Sequence, residues 1–216
     1  MEVKQKTWTV IPRGNSSKKF IYSRLHSLAG IVPLGLFLIE HFYSNATAMF
    51  GEETYNKQIE GLQSIPFLPV IEIIFIAIPL LFHAVYGIYL SFVSSNNTNT
   101  YQYRRNLMYL FQRISGIVTL IFVVYHVWSF RLSTAFTGTE VNFQLVSEHL
   151  QNPLIFAFYI LGVVSTTYHF CNGLSTGLIT WGITLGKNSQ KIAVQLSLLL
   201  FAVMCLIGIA TLYTFA

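Results

Sequence analysis

Four long apolar stretches of this chain each contain one interior histidine, at His41, His83, His126 and His169. An imidazole titrates near pH 6.5, and it is costly to place in an apolar helix unless another group binds it. The neutral ring is also the commonest metal ligand among protein side chains. These four positions therefore indicate that a metal or a metal-containing cofactor is bound inside an apolar bundle.

The composition is that of a membrane protein. Of the 216 residues, 53% are hydrophobic and only 10% are charged, whereas soluble domains carry about 25% charged residues. The basic residues lie between apolar stretches, so the positive-inside rule explains the pI of about 9.2 and nucleic acid is not expected as a partner. Cys171 and Cys205 lie in separate apolar stretches without a CxxC motif, which predicts two buried free thiols.

Hydropathy predicts an all-α membrane protein with five transmembrane helices. Residues 1–19 form a polar, basic segment, and residues 20–216 form the membrane domain. Each span is long enough to cross a bilayer, which takes about 20 residues. Pro79 predicts a kink in the second span, and no internal duplication is expected. The predicted spans are about residues 20–48, 67–94, 104–133, 153–183 and 192–215.

The distribution of Lys and Arg predicts the orientation of the bundle. With the N-terminus inside, eleven of the 13 basic residues lie on the inner side, and only Lys57 and Arg131 lie outside. Cytoplasmic loops carry an excess of Lys and Arg. We therefore expect a cytoplasmic N-terminus and an external C-terminus, in a multi-pass protein of a bacterial cytoplasmic membrane.

Depth along the helices sorts the four histidines into two pairs. At about 1.5 Å per residue, His41 and His126 lie roughly 30 Å from the inner boundary. His83 and His169, on spans that run the other way, lie roughly 20 Å from it. This matching predicts that His83 faces His169 and that His41 faces His126. Two pairs at different depths favour two haems held one above the other by a four-helix core, with the fifth helix outside it.

Small residues beside the histidines support the haem interpretation. Gly87 follows His83 by four residues and Gly173 follows His169 by four, so each shares a helix face with its histidine. A flat macrocycle needs such small neighbours. Zinc is disfavoured because no two of the four histidines share a helix at ligand spacing. The alternatives that stay open are a haem-free membrane anchor and a transporter that relays protons through its histidines.

Other polar residues are candidates for supporting roles. Near the inner boundary, four of them are expected to surround the haems or bind their propionates: Arg24, His26, Ser27 and Arg113. A quinone site would need a group that exchanges protons. Glu72 is the first candidate, because it lies three helical turns before His83 on nearly the same face, and Glu40 is the second. His149 is expected to be a surface residue.

Several motifs in this sequence resemble one known family. The segments RLHSLAGIVPLGLFLIEH, PLLFHAVYGIY, LFQRISGIVTLIFVVYHVW and YHFCNGL each surround one of the histidines. They are similar to the membrane-anchor cytochrome b subunit of succinate:quinone oxidoreductases, in its single-chain, five-helix, di-haem form. The resemblance runs from about Lys18 to the end of the chain.

The resemblance implies a function and partners that the residues alone do not give. His83 and His169 would ligate a proximal haem b, and His41 and His126 a distal one. A flavoprotein subunit and an iron–sulfur subunit would dock on the cytoplasmic face, so this chain would be the electron-transfer and quinone-reducing subunit and would carry out no succinate chemistry. Electrons would pass through both haems to a quinone, with menaquinone favoured, and the reverse direction would make the complex a quinol:fumarate reductase.

Overall fold

A computed structural model describes residues 14–93, 98 and 100–216, and of residues 14–16 it describes only the backbone. The described residues form helices, turns and connections without a β-strand. Five of the helical stretches are long and apolar enough to cross a membrane. We number these spans in chain order: Ser17–Phe50, Leu68–Val93, Arg104–Thr137, Pro153–Thr180 and Lys187–Phe215.

The α-helices that build these spans, and the short helices between them, are numbered α1 to α10. They are α1 (Gly14–Ile31), α2 (Pro33–Ala46), α3 (Glu52–Gln63), α4 (Leu68–Glu72), α5 (Ile78–Val93), α6 (Arg104–Val127), α7 (Ser133–Thr137), α8 (Phe143–Leu150), α9 (Pro153–Thr180) and α10 (Lys187–Phe215).

The five-span prediction is confirmed, with differences at the boundaries. Helix α1 already begins at Gly14, so part of the segment predicted as polar and separate belongs to the first span; residues 1–13 lie outside the described residues. The fifth span begins at Lys187 rather than near residue 192, because the first helical turn is polar and follows Gly186 directly. The predicted loop at residues 94–100 falls mostly outside the described residues.

Prolines interrupt the first two spans in different ways. In the first span, α1 ends at Ile31 and α2 begins at Pro33, at the N-terminal position that tolerates a missing N–H. In the second span, Pro79 follows a π-helical stretch, Ile73–Ala77, in which the Ile78 N–H bonds to the Ile73 carbonyl. The second span thus has a wider helical turn just before Pro79, which takes one residue more than an α-helical turn; the predicted kink stays a prediction.

Each span packs against particular neighbouring spans. The fourth span packs against the first, third and fifth, and the second span packs mainly against the first. The second and third spans are held together by two arginines of the third span. Arg113 donates to the Ser91 carbonyl at one end, and Arg131 pairs with Glu72 at the other.

A small folded cap covers one end of the bundle. Helices α3 and α8, which lie in stretches predicted only as polar connectors, pack over the ends of the first and fifth spans. Tyr55 and Phe215 are each 2% exposed, and their ring centres lie 5.1 Å apart. The Asn56 side chain accepts from the Phe143 N–H at 2.8 Å, and Ser147 donates to the Phe215 carbonyl at 2.7 Å. We call this end the capped end.

Candidate haem-binding sites

The structure brings the four predicted histidines together as the two expected pairs. The ring centres of His83 and His169 lie 6.0 Å apart with planes at 88°. Those of His41 and His126 lie 5.5 Å apart at 83°. We call these the inner pair and the outer pair; the outer pair lies nearer the capped end. In each pair, two nearly perpendicular imidazoles from different spans face each other.

Backbone carbonyls hold both rings of the inner pair. Nδ1 of His83 lies 2.9 Å from the carbonyl oxygen of His26, and Nδ1 of His169 lies 3.0 Å from that of Gln112. A carbonyl oxygen only accepts, so each Nδ1 carries the proton and each Nε2 keeps its lone pair. Among the described residues, neither Nε2 has a hydrogen-bond partner. Metal-bound histidines almost always donate their other N–H in this way.

Glycines of the neighbouring helices make room for the inner rings. A Cβ built onto Gly30 would lie 2.5 Å from Cε1 of His83, and one built onto Gly116 would lie 2.8 Å from Cε1 of His169. Sequence reasoning did not find these two glycines, because they lie on other helices than the histidines they contact. The glycines it did select, Gly87 and Gly173, face His26 and Gln112 instead, at 3.2 and 3.3 Å.

The outer pair has less regular partners. Nδ1 of His126 lies 3.4 Å from the Tyr159 hydroxyl, which is a long hydrogen bond. Nε2 of His41 lies 3.4 Å from the side-chain nitrogen of Asn45, and the same nitrogen donates to the His41 carbonyl at 2.8 Å. The Asn45 side chain therefore has its stronger bond to the backbone, and only the longer contact would be lost if His41 bound a metal through Nε2.

These donor sets fit haem better than they fit a metal ion held by protein alone. No group of three or more His, Cys, Asp or Glu side chains suited to a metal occurs among the described residues. Structural zinc needs four protein ligands and catalytic zinc needs three, and each pair here supplies two. Haem brings its own equatorial nitrogens, so two axial imidazoles complete the set.

The four predicted propionate ligands have different surroundings. The His26 ring stacks on His83, with centres 4.0 Å apart and planes at 8°. The Arg24 guanidinium lies over Phe20 and Trp181, at 4.8 and 5.5 Å from their ring centres. Ser27 faces Gly177 of the fourth span, and Arg113 donates across to the second span. His26 contacts His83 of the inner pair directly.

The two carboxylates proposed for a quinone site have distinct surroundings. Both oxygens of Glu72 accept hydrogen bonds from Arg131, at 2.5 to 3.1 Å. In an unbroken α-helix, Glu72 would lie on nearly the same face as His83. The π-helical stretch Ile73–Ala77 between them adds one residue to a turn, which rotates Glu72 about the helix axis by about 100° away from that position. Glu72 and His83 therefore lie on different faces. Glu40 accepts from the buried Ser44 hydroxyl, to which Gln58 of the cap donates at 3.1 Å.

His149 is not the surface residue that the sequence predicted. It is half-buried on α8, where its ring packs 4.9 Å from Phe130 and 5.7 Å from Tyr159. Its Nε2 lies 3.4 Å from the Tyr125 hydroxyl. The prediction was wrong because a polar connector was expected, and α8 instead folds against the bundle. His149 thus lies one side chain away from His126.

Burial lowers the pKa of His149 below its ordinary value of about 6.5. Burial keeps this histidine neutral in the folded protein, whereas in the unfolded chain it binds a proton once the pH falls below about 6.5. The folded state therefore loses stability relative to the unfolded state as the pH falls below that value. We predict that the amides of residues 143–150 are less protected from hydrogen exchange at pH 5 than at pH 7.5, once the observed rate at each pH is divided by the intrinsic rate at that pH. In His149→Gln this pH dependence should shrink, and an equal dependence in both proteins would contradict the prediction.

Comparison with known proteins places this arrangement in a family. The chain belongs to the succinate dehydrogenase/fumarate reductase transmembrane subunits, whose family pattern matches residues 94–209. It is a membrane cytochrome b subunit of that class. It is 42% identical over 201 residues to the succinate dehydrogenase cytochrome b558 subunit of Bacillus subtilis (strain 168), an alignment that covers 93% of this chain and 99% of that protein.

Proposed function

We propose that this chain is the di-haem membrane anchor of a succinate dehydrogenase, carrying electrons from an iron–sulfur subunit at its inner side to quinone at the capped end. The observation that carries the proposal is the presence of two facing imidazole pairs at two depths. Two haems b bound between these pairs would supply one-electron redox chemistry across the membrane. Membership of the family supports the role of membrane anchor, and the two histidine pairs support the proposed number of two haems.

The protein's own contribution is ligation and orientation. In the inner pair, the carbonyls of His26 and Gln112 fix the tautomers of His83 and His169. Gly30 leaves room for the ring of His83, and Gly116 does the same for that of His169. Partners on the inner side would be the flavoprotein and iron–sulfur subunits. The eleven basic residues predicted for that side favour a cytoplasmic location for it.

A redox-resolved spectrum of the purified complex tests this function directly. Bis-imidazole haem b should give sharp α-bands in a reduced-minus-oxidised spectrum, and a redox titration should resolve two components. Reduction of menaquinone by succinate should proceed in the same preparation. A colourless complex, or one with a single haem per chain, would overturn the proposal.

The ion pair between Glu72 and Arg131 is the best-defined polar feature at the capped end for a quinone site. It joins the second and third spans, and Arg131 lies five residues beyond His126, roughly 7.5 Å further out along the helix. The side chains of Arg131 and Glu72 are 47% and 30% exposed, so a membrane-dissolved molecule can reach the pair. Each of the two helices has a π-helical stretch here, a feature often found at functional sites.

We predict that Glu72→Gln lowers quinone turnover about 100-fold, the size of effect expected when a proton-exchanging group is lost. Both haem components should keep their spectra, and succinate oxidation by a soluble dye should be unchanged. The measurement is the rate of quinone reduction in the intact complex.

Glu53→Gln is the matched control for this prediction. Glu53 forms an exposed ion pair with Lys57 on α3 at the same end of the bundle, so its loss removes the same charge without touching the second span. Turnover in Glu53→Gln should equal that of the unaltered protein. Equal turnover in Glu72→Gln would exclude Glu72 from the site and leave Glu40 as the remaining candidate.

A further inference from the structure

The inner pair is surrounded by two sets of residues that repeat along the chain. Each member of the second set lies 86 positions after its counterpart in the first: Gln112 after His26, Gly116 after Gly30, His169 after His83 and Gly173 after Gly87. The contacts repeat as well. The hydrogen bonds from His83 to His26 and from His169 to Gln112 both join residues 57 positions apart.

The correspondence extends from single residues to the helices that carry them. Gly30 and Gly116 both begin the sequence Gly-Ile-Val, and a phenylalanine precedes each outer histidine by four residues. Phe37 lies 5.4 Å from His41, and Phe122 lies 5.6 Å from His126. The first two spans and the next two therefore carry corresponding residues at the inner site, and we call these two helical pairs the two copies. The sequence analysis expected no internal duplication and did not use this correspondence.

The match between the copies ends toward the outer pair. His126 follows His41 by 85 positions rather than 86, so the first copy has one residue more between its glycine and its outer histidine. That extra residue lies between Val32 and Phe37, a stretch that includes Pro33 at the start of α2. The outer pair also differs in its partners, because His126 lies near the Tyr159 hydroxyl whereas His41 lies near the Asn45 side chain. The shared geometry is thus a property of the inner site.

In each copy, one residue contacts the histidine both through its backbone and through its side chain. The His26 carbonyl accepts from His83, and its ring lies flat on the His83 ring. The Gln112 carbonyl accepts from His169. Its side-chain nitrogen lies 3.3 Å from Nδ1 of that ring and donates to the His169 carbonyl at 3.0 Å, and Asn172 donates to its oxygen at 2.6 Å.

We propose that His26 and Gln112 are equivalent positioning residues of the inner site, each orienting one axial imidazole, and that neither is an iron ligand. This rests on the proposed haem ligation. The carbonyl fixes which nitrogen carries the proton, and the side chain fixes the rotation of the ring about its bond to Cβ. Together with the glycine four residues later in the same helix, each residue holds its histidine so that the two ring planes stay nearly perpendicular.

The test compares His26→Ala, Gln112→Ala and His26→Gln in the intact complex. Residues that orient a metal-bound histidine typically change metal affinity 10- to 100-fold when lost. We expect both alanine variants to release the inner haem at least tenfold faster and to shift its electron paramagnetic resonance signal, which reports the angle between the imidazole planes. The outer component should keep its signal and serves as the internal control for folding.

His26→Gln introduces the residue that the second copy uses, and it separates the proposal from its alternatives. We expect it to retain the inner haem and its signal. If His26→Gln behaves like His26→Ala, His26 has a role that only an imidazole can fill and the equivalence is wrong. Unchanged inner signals in both alanine variants would also overturn it. Absence of haem from the unaltered complex would instead refute the proposed function.

Discussion

Replacing His83 or His169 by alanine should remove one of two haem b components from the redox titration, and replacing His41 or His126 should remove the other. The reason is the geometry of the pairs. Each ring faces one partner at 5.5 to 6.0 Å, and the rings of the two pairs belong to different depths. If the haems are held as proposed, loss of one imidazole would leave that haem with a single histidine, so its low-spin signal should disappear even where the haem itself stays bound.

The assignment within pairs makes this a demanding experiment. Variants of His83 and His169 should both retain the component of the outer pair. Variants of His41 and His126 should both retain the component of the inner pair. His149→Ala is the matched control, because it removes an imidazole that lies near the outer pair but belongs to neither pair. A variant of one pair that abolished only the component of the other pair would show that the pairing is wrong.

The parts of this structure that hydropathy controls could be predicted from the sequence. A span must be apolar over about 20 residues, and the rise of 1.5 Å per residue gives the depth of any residue within it. Those two facts were enough to place His83 opposite His169 and His41 opposite His126. They required no knowledge of how the helices pack sideways.

The neighbours of the histidines could not be predicted in the same way. Gly30 and Gly116 contact rings on other helices, and the contacts of His26 and Gln112 depend on the rotation of each helix about its axis. Hydropathy gives that rotation poorly when most faces are apolar. One signal was present: the repeated Gly-Ile-Val in the first and third spans, at a separation of 86 residues, marks the two copies.

Local helix geometry explains the remaining differences. The argument that placed Glu72 on the face of His83 assumed an unbroken α-helix, and the π-helical stretch Ile73–Ala77 changes that face. The position of His149 depends on α8 folding back over the bundle, which needs the contacts of Tyr125 and Phe130 as well as its own sequence. Neither feature has a strong pattern in a single sequence.

The second large effect is expected at Gly30 and Gly116, the glycines next to the rings of His83 and His169. We predict that Gly30→Ala and Gly116→Ala each deplete the inner haem and spare the outer one. The added methyl group would lie 2.5 Å from the ring of His83 in the first variant and 2.8 Å from the ring of His169 in the second. Overpacking of this kind costs about 1–3 kcal/mol, and 1.4 kcal/mol corresponds to a tenfold change in affinity. Haem occupancy is measured from the amplitude of each component in the redox titration.

Three other glycines of the chain serve as graded controls for this prediction. A Cβ on Gly87 would lie 3.2 Å from Nε2 of His26, and one on Gly173 would lie 3.3 Å from the side-chain nitrogen of Gln112. These distances are longer than those at Gly30 and Gly116, so the inner haem should fall less. A Cβ on Gly61, at an exposed position of α3, would meet no atom within 4 Å, and Gly61→Ala should leave both haems in place. The order of haem loss should therefore follow the order of the distances. If Gly30→Ala and Gly116→Ala retain as much inner haem as Gly61→Ala, the rings of His83 and His169 are not held against these glycines when haem is bound.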